Sequence, residues 1–473
     1  MIDCTIPGPT GVIDPEAWDR TREPMLPDGP DLPAECQTLE WFMRPYDFLS
    51  RCAAEYGETF TLRFREFGAH VVFSSPAANK EIFSLDARYL SAGKGNVLLG
   101  PGNLGPCSMF ALDGEGHSRQ RRTLGPSCSK SAVDGYEDVI REETLSHART
   151  WPTGQPFPVL DKLQEILLNT IARLIFGAHE SSHVAAIKEQ VKGLMTVVSS
   201  GVVIKEADDA INPFDPRVCF RRIRQEFCRS LQAEIEARGW RTCQRDGDLL
   251  SILLAAHSEA QGPDYYQEIA DQVLTLLVAG HETTATSVAW ALYWLHSTPE
   301  VLERLLDEIA SSGGSPGPDP SYLDAFCQEV LRICPVVPIV LRVVMQPLRI
   351  QGVHLEPGTI ISSAIYLTHR REDLYDRPKT FDPGRFLRRR YAPHEFLPFG
   401  GGGRRCIGMH LALGQMKVML VTLLSKYSFQ IAARRTVRPV RRSLTIGPSE
   451  GLPVLVFARD HGEVCPHTVR ARN

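Results

Sequence analysis

The sequence predicts a mainly α-helical domain with small β-sheets, an α+β fold built around one long central helix. Three observations lead there. Residues 264–298 keep a helical pattern over an unusual length, with apolar side chains nearly all round, as in a helix that passes through the middle of a domain. Windows at 164–176, roughly 182–200 and roughly 216–238 carry the same 3.6-residue period. Strand-like runs are confined to segments near the two ends of the chain. The 473 residues suffice for one large core or for two or three ordinary domains. The short connections contain no domain linker. Residues 41–473 are therefore read as one domain behind an extended, proline-stiffened lead-in over residues 1–40, which contains "PMLPDGPDLP".

In chain order, "TFTLRF" and "HVVFSS", separated by "REFGA", read as a strand pair. "QEILLNTIARLIF" (Gln164 to Phe176) is the first strongly periodic helix, followed by the two longer windows and the central helix. "STPE" opens the next helix with Pro299 in its first turn. Another begins near Tyr322 and is stopped by Pro335. "LRIQGVHLEPGTIISSAI" alternates around Gly352 and Pro357-Gly358 as strand, turn and strand, and "LPVLVF" closes the pattern as a strand.

Composition excludes little. Charged residues are 23%, hydrophobic residues 43%, and the formal net charge of -4 gives no global case for nucleic acid or a membrane surface. Twelve cysteines lie singly from Cys4 to Cys465 with no CxxC pair, and no secretory signal opens the chain. The expectation is a reducing cytoplasm in which most cysteines are small buried apolar residues. No segment reaches the ~18 unbroken apolar residues of a membrane helix, so no membrane anchor is expected.

The chemistry concentrates in "FGGGGRRCIGMHLALG", Phe399 to Gly414. A thiolate at Cys406 would be stabilised by backbone N–H groups and by the positive end of the helix that follows, in which Met409, Ala412, Leu413, Met416 and Leu420 fall at helical spacing. Glycines ahead of it let the main chain lie flat against something broad, and the arginines beside it suit carboxylates on the same object. A flat cofactor with anionic side groups and a metal that takes a thiolate describes haem. Two other readings stand beside it. Cys406 and His410, at i, i+4, form half of a zinc site that needs one or two more ligands. Alternatively, the stretch is a glycine-rich turn before a core helix, with Cys406 as packing.

Phe399-x-x-Gly402-x-Arg404-x-Cys406-x-Gly408 is similar to the haem-binding signature of the cytochromes P450, the haem-thiolate monooxygenases. The resemblance implies the P450 fold, haem b, Cys406 as the axial ligand of the iron, Phe399 near the sulfur, Arg404 on a haem propionate, and glycines that carry the backbone beneath the porphyrin. It extends upstream in order. "QEVLRICP" with "DPGRF" resembles the family's buried Glu-Arg-Arg network, filled here by Glu329, Arg332 and Arg385. "GEGHSRQRR" resembles the segment that reaches the haem carboxylates, giving His117 and Arg121; the family often has Trp where His117 stands. Arg342 in "PIVLR" matches a further propionate-binding arginine. "AGHETT" resembles the oxygen-activation stretch, in which Gly280 leaves room for oxygen while Glu282 and Thr283 relay protons. The likeness spans roughly His117 to the C-terminus.

The resemblance implies a soluble, bacterial-type monooxygenase that inserts one atom of O2 into an apolar organic molecule of terpenoid, fatty acyl or polyketide kind. Electrons from NAD(P)H would arrive through a separate ferredoxin or flavodoxin, because no length remains for a fused reductase and no N-terminal anchor is present. A basic docking patch is expected from Arg119, Arg122, Arg388 to Arg390, Arg405 and Lys417. The substrate walls are expected from the loop between about Ser91 and Phe110, from Leu276 and Ala279, and from Val336, Val337 and Val340. "NVLLGPGNLGPCSMF" is expected to form a mobile lid. A peroxide-driven peroxygenase or isomerase, and a non-catalytic haem sensor, are the rival functions; retention of Glu282 and Thr283 speaks against both.

Overall fold

The computed structural model describes residues 26–65, 68–99, 104–178, 180–199, 215–239, 248–256, 263–313, 321–443 and 445–459. The first 25 residues of the expected lead-in lie outside these. The lead-in is also shorter than expected, since a helix already spans Ala34–Met43. Its anchor is Gln37, which is fully buried. The Gln37 amide donates to the carbonyls of Pro30 and Leu32 and accepts the N–H of Arg63, so the entering chain is stitched to the first strand.

That strand, Thr59–Phe64, opens a five-stranded sheet in the order Thr59–Phe64, Gly68–Phe73, Ile360–Ser363, Val340–Val344, Leu90–Ser91. Gly68–Phe73 and Ile360–Ser363 are parallel and the other pairs antiparallel. A strand from the start of the chain thus meets one from the region of the predicted turns, a pairing that no local pattern announces. Gly352 does join a hairpin, Leu348–Ile350 with Val353–Leu355, but the run after Pro357-Gly358 leaves that hairpin for the large sheet. A second hairpin pairs Pro439–Arg442 with Thr445–Pro448, and a three-stranded sheet orders Phe157–Pro158, Pro453–Ala458 and Tyr427–Ile431.

The central helix runs from Pro263 to Ser297, 35 residues. Its all-round apolarity is explained by the two cores it serves. Ile269, Val273, Leu274 and Leu277 join one, with the helices Val159–Phe176 and Ser182–Ser199. Ala285, Val288, Trp290 and Leu292 join the other, with the helices Tyr322–Ile333 and Met409–Lys426. Gly280 lies between these stretches, where a Cβ would fall 2.9 Å from Ile171 Cγ1. Its missing side chain therefore lets the central helix approach Val159–Phe176. No helix among the described residues is long and apolar enough to cross a membrane.

Candidate functional site

The glycine stretch folds as a tight loop that presents Cys406 at the start of the helix Met409–Lys426. Gly400 donates its N–H to the Leu397 carbonyl at 2.9 Å, Arg405 to Gly402 at 3.1 Å, and Cys406 to Phe399 at 2.9 Å. Gly402 has φ +62°, and a Cβ there would lie 2.1 Å from the backbone oxygen of Phe83. A Cβ on Gly401 would lie 2.6 Å from the Phe83 ring, whereas one on Gly403 would meet nothing. Two of the four glycines are thus demanded by the helix Pro76–Ser84 that carries Phe83, a neighbour that the signature alone does not reveal.

Among the nine described cysteines only Cys36 and Cys406 are exposed. The surrounding protein nevertheless desolvates Cys406, which pushes its thiol up; the Gly408 N–H, Arg121 and Arg405 act in the opposite direction. The donors that would favour a thiolate are in place. The zinc reading fails on ligands: no group of three His, Cys, Asp or Glu side chains able to hold a metal ion occurs among the described residues.

Three arginines and a histidine gather beside this loop. Burial, then Arg404, Arg121 and Arg342, push the His117 imidazole down to about 4, with Asp113 opposing them. Arg342, 7% exposed, is pushed down to about 10 by burial and by Arg404, again against Asp113. Arg404 is pushed down to about 10 by burial, with Asp113 opposing and Arg121 adding to the fall. Among the described residues, Asp113 is the acid that bears on His117, Arg342 and Arg404, and it is already engaged. It accepts Ser91 Oγ at 2.5 Å and the Gly93 N–H at 3.1 Å, with Arg404 Nη1 at 3.6 Å. Desolvated cations with so little counter-charge are costly unless anions join them. Two carboxylates on one flat group, beside an accessible sulfur, meet that need, so the residues fit haem. Near neutral pH the His117 imidazole is therefore uncharged. Arg121 also donates to the Arg405 carbonyl at 2.6 Å, and Arg404 to the carbonyls of Met109, Phe110 and Leu112.

Glu329, Arg332 and Arg385 form the predicted buried network, with exposures of 0%, 0% and 4%. Arg332 Nε meets Glu329 Oε2 at 2.7 Å, and Arg385 Nε meets the same oxygen at 3.1 Å.

The central helix separates its two predicted proton carriers. Thr283 is half-buried, like Leu276, Ala279 and Gly280, and these positions share one face at helical spacing. Thr283 Oγ1 donates to the Ala279 carbonyl at 3.1 Å. Glu282 is 3% exposed and turns to the C-terminal hairpin, where Thr445 Oγ1 donates to its Oε1 at 3.0 Å. Thr445, which no motif marks, is the residue that sequence reasoning missed here.

Of the expected substrate walls, Val337 and Val340 are half-buried, but Val336 is only 8% exposed and packs in the central core. The expected loop from Ser91 begins as a helix, Ala92–Leu99, and residues 100–103 of the expected lid lie outside the described residues. The docking patch is not a field of unopposed cations. Arg122 pairs with Glu115 at 2.5 Å, Arg388 with Asp382 at 2.5 Å, Arg389 with Glu395 at 3.1 Å and Arg119 with Glu268 at 3.2 Å. The Lys417 side chain, 17% exposed, is bound to Asp324 at 2.9 Å and does not belong to an exposed patch. Arg390 and Arg405 are exposed.

Comparison with known proteins agrees with this geometry. The family model described as Cytochrome P450 matches residues 28–452. A putative cytochrome P450 135B1 of Mycobacterium tuberculosis is 34% identical over 435 residues, 92% of each chain. A putative cytochrome P450 135A1 of the same species is 31% identical over 440 residues, 90% of this chain and 94% of that one. Among solved structures, a retinoic acid bound cyanobacterial CYP120A1 superposes with TM-score 0.77 at 24% identity, covering 93% of this chain and 100% of the other. The cytochrome P450DA heme domain gives 0.75 at 23% identity, covering 93% and 98%. The match extends through the strands before His117, where no motif was read. With a family model over nearly the whole chain and relatives above 30% identity, this chain belongs to the cytochrome P450 family of haem-thiolate monooxygenases.

Proposed function

We propose that the protein binds haem b and inserts one atom of O2 into an apolar organic substrate, drawing electrons from NAD(P)H through a separate ferredoxin or flavodoxin. The observation that carries this reading is the pairing of an accessible Cys406, at a helix start, with the desolvated His117, Arg342 and Arg404 and with Arg121 beside them. Cys406 would ligate the iron, Phe399 and Gly408 would frame the sulfur, and Arg342 and Arg404 would take the propionates, with His117 and Arg121 completing the cradle. A thiolate-ligated haem supplies the electron donation that favours O–O cleavage. The chain itself supplies the rest. The half-buried face of Leu276, Ala279 and Thr283, with Val337 and Val340, offers mainly aliphatic wall, which suits a terpenoid, fatty acyl or polyketide-like substrate held by shape. The Thr283 hydroxyl and the Glu282 carboxylate are the groups able to hold and move a proton.

A reducing cytoplasm suits Cys52, Cys128, Cys327 and Cys334, which are buried and form no disulfide. The exposed Arg390 and Arg405 are the cations left for an acidic electron donor. The test is the absorbance of the dithionite-reduced protein with and without carbon monoxide. A strongly red-shifted Soret band, lost in Cys406→Ser, is the expected result. A carbon monoxide complex like that of a histidine-ligated protein, or a folded chain that takes up no haem, would overturn the assignment.

A further inference from the structure

Three residues on one stripe of the central helix, Glu282, Thr286 and Trp290, stand at i, i+4 and i+8 and all face the hairpin Pro439–Pro448. Glu282 Oε1 accepts from Thr445 Oγ1 at 3.0 Å, Thr286 Oγ1 lies 3.3 Å from the same hydroxyl, and Trp290 Nε1 donates to the Ile446 carbonyl at 3.0 Å. All of these side chains are buried, Thr445 completely. The carboxylate is therefore held away from the face that carries Thr283. Thr445 Oγ1 also lies 3.2 Å from the Arg442 carbonyl. A hydroxyl has one proton to donate, so it serves one acceptor at a time while still accepting from Thr286.

Resting on the reading of Glu282 as a proton carrier, we propose that Thr445 is its positioning residue. The hydroxyl parks the carboxylate on the hairpin and releases it by turning to the Arg442 carbonyl, so no buried donor is stranded when Glu282 moves. The Arg442 carbonyl is the closer of the two acceptors left to the hydroxyl once the acid moves, at 3.2 Å against 3.3 Å for Thr286 Oγ1. The charged groups around Glu282 suit this role. On the hairpin, Arg441 acts on Glu282 electrostatically, and Arg442 is committed to Asp161 of the helix Val159–Phe176 at 3.5 Å. On the central helix, His281 holds the Leu277 carbonyl at 2.7 Å, and burial pushes its imidazole down.

Thr445→Val removes the donor and keeps the shape; Thr445→Ser keeps the donor. In the haem-loaded protein, the protonated-carboxyl infrared band that disappears in Glu282→Gln reports the protonation midpoint of Glu282. Loss of a hydrogen bond to the ionised form should raise that midpoint by about 1–2 units in Thr445→Val, with the serine variant near wild type. With a surrogate ferredoxin and ferredoxin reductase, Thr445→Val should also release a larger share of its reducing equivalents as hydrogen peroxide. If Glu282→Gln matches wild type in peroxide release, the proton-carrier reading itself fails, whatever Thr445 does. If Glu282→Gln departs from wild type but Thr445→Val shifts neither the infrared midpoint nor the peroxide share, the positioning proposal fails alone. A lower melting temperature in Thr445→Val with an unmoved midpoint would also overturn it, since that is packing without positioning.

Discussion

Replacing Arg332 by lysine should cripple the fold although the charge is kept. The guanidinium has five N–H donors, and all five are used. Nε donates to Glu329 Oε2 at 2.7 Å and Nη2 to Glu329 Oε1 at 2.8 Å. Nη1 donates to the carbonyls of His369 and Pro378, each at 2.8 Å, and Nη2 to that of Thr380 at 3.2 Å. Lysine brings three donors on one nitrogen, so at least two of the five charge-assisted bonds are lost, although Arg385 and the Asp382 N–H still serve Glu329 and Thr380. At about 1.5–3 kcal/mol for each lost hydrogen bond to a charged group, the loss is about 3–6 kcal/mol. That overlaps the roughly 3–5 kcal/mol typical of a broken buried ion pair, and it is a large part of the roughly 5–15 kcal/mol that stabilises a typical domain. Glu329→Gln should cost a similar amount, because Arg332 and Arg385 then face each other without an anion. The assay is urea denaturation at matched haem occupancy, read by far-ultraviolet circular dichroism and by the thiolate-type carbonyl band. Being buried, the effect should be nearly independent of salt. An Arg332→Lys protein that loads haem fully and unfolds within about 1 kcal/mol of wild type would refute this donor accounting.

Four further outcomes follow from the contacts and burial of Gly402, His117 and Asp271. Gly402→Ala should abolish the thiolate-type carbonyl spectrum, since its Cβ would overlap the Phe83 carbonyl, while Gly403→Ala should stay near wild type. His117, pushed down to about 4, contributes stability that is full above its unfolded value of about 6.5 and is lost as pH falls through the folded one; the haem-free protein should lose about 3 kcal/mol over that window, and His117→Gln should not. Asp271 binds Arg224 at 2.6 Å and the Cys107 N–H at 2.9 Å, so Asp271→Ala should speed hydrogen exchange at that amide about tenfold or more. Burial raises the Asp271 carboxyl above its ordinary value, so its contribution is present in full below the unfolded value and falls as pH rises through the folded one; pH-dependent unfolding of wild type against Asp271→Asn measures that slope.

The candidate site residues were legible where they are close in sequence. The cysteine loop, the Glu329–Arg332 pair and the central helix each rest on spacing within one element, and the helix bounds differ from the periodic windows by a few residues at most. What the sequence hid lies between elements far apart in the chain. Gly401 and Gly402 look alike in a run of four, and only Phe83 separates their demands from that of Gly403. Val336 looks like any wall valine until the fold turns it into the core. The docking arginines look unopposed because Glu115, Asp382, Glu395 and Glu268 neutralise them through pairings that must be seen in space.

Glu282 and Thr283 carry the same lesson into mechanism. Adjacent helical residues point about 100° apart, so neighbours in a motif do not face each other. Here that angle gives Thr283 to the half-buried face and Glu282 to the hairpin. A proton passing from one to the other must therefore follow movement of the Glu282 side chain or cross an intervening solvent molecule. Either route makes the partner that holds the acid matter as much as the acid itself. The hairpin that supplies this partner sits more than 150 residues beyond the motif, ahead of the strand expected at "LPVLVF" and in a stretch where no strand was expected.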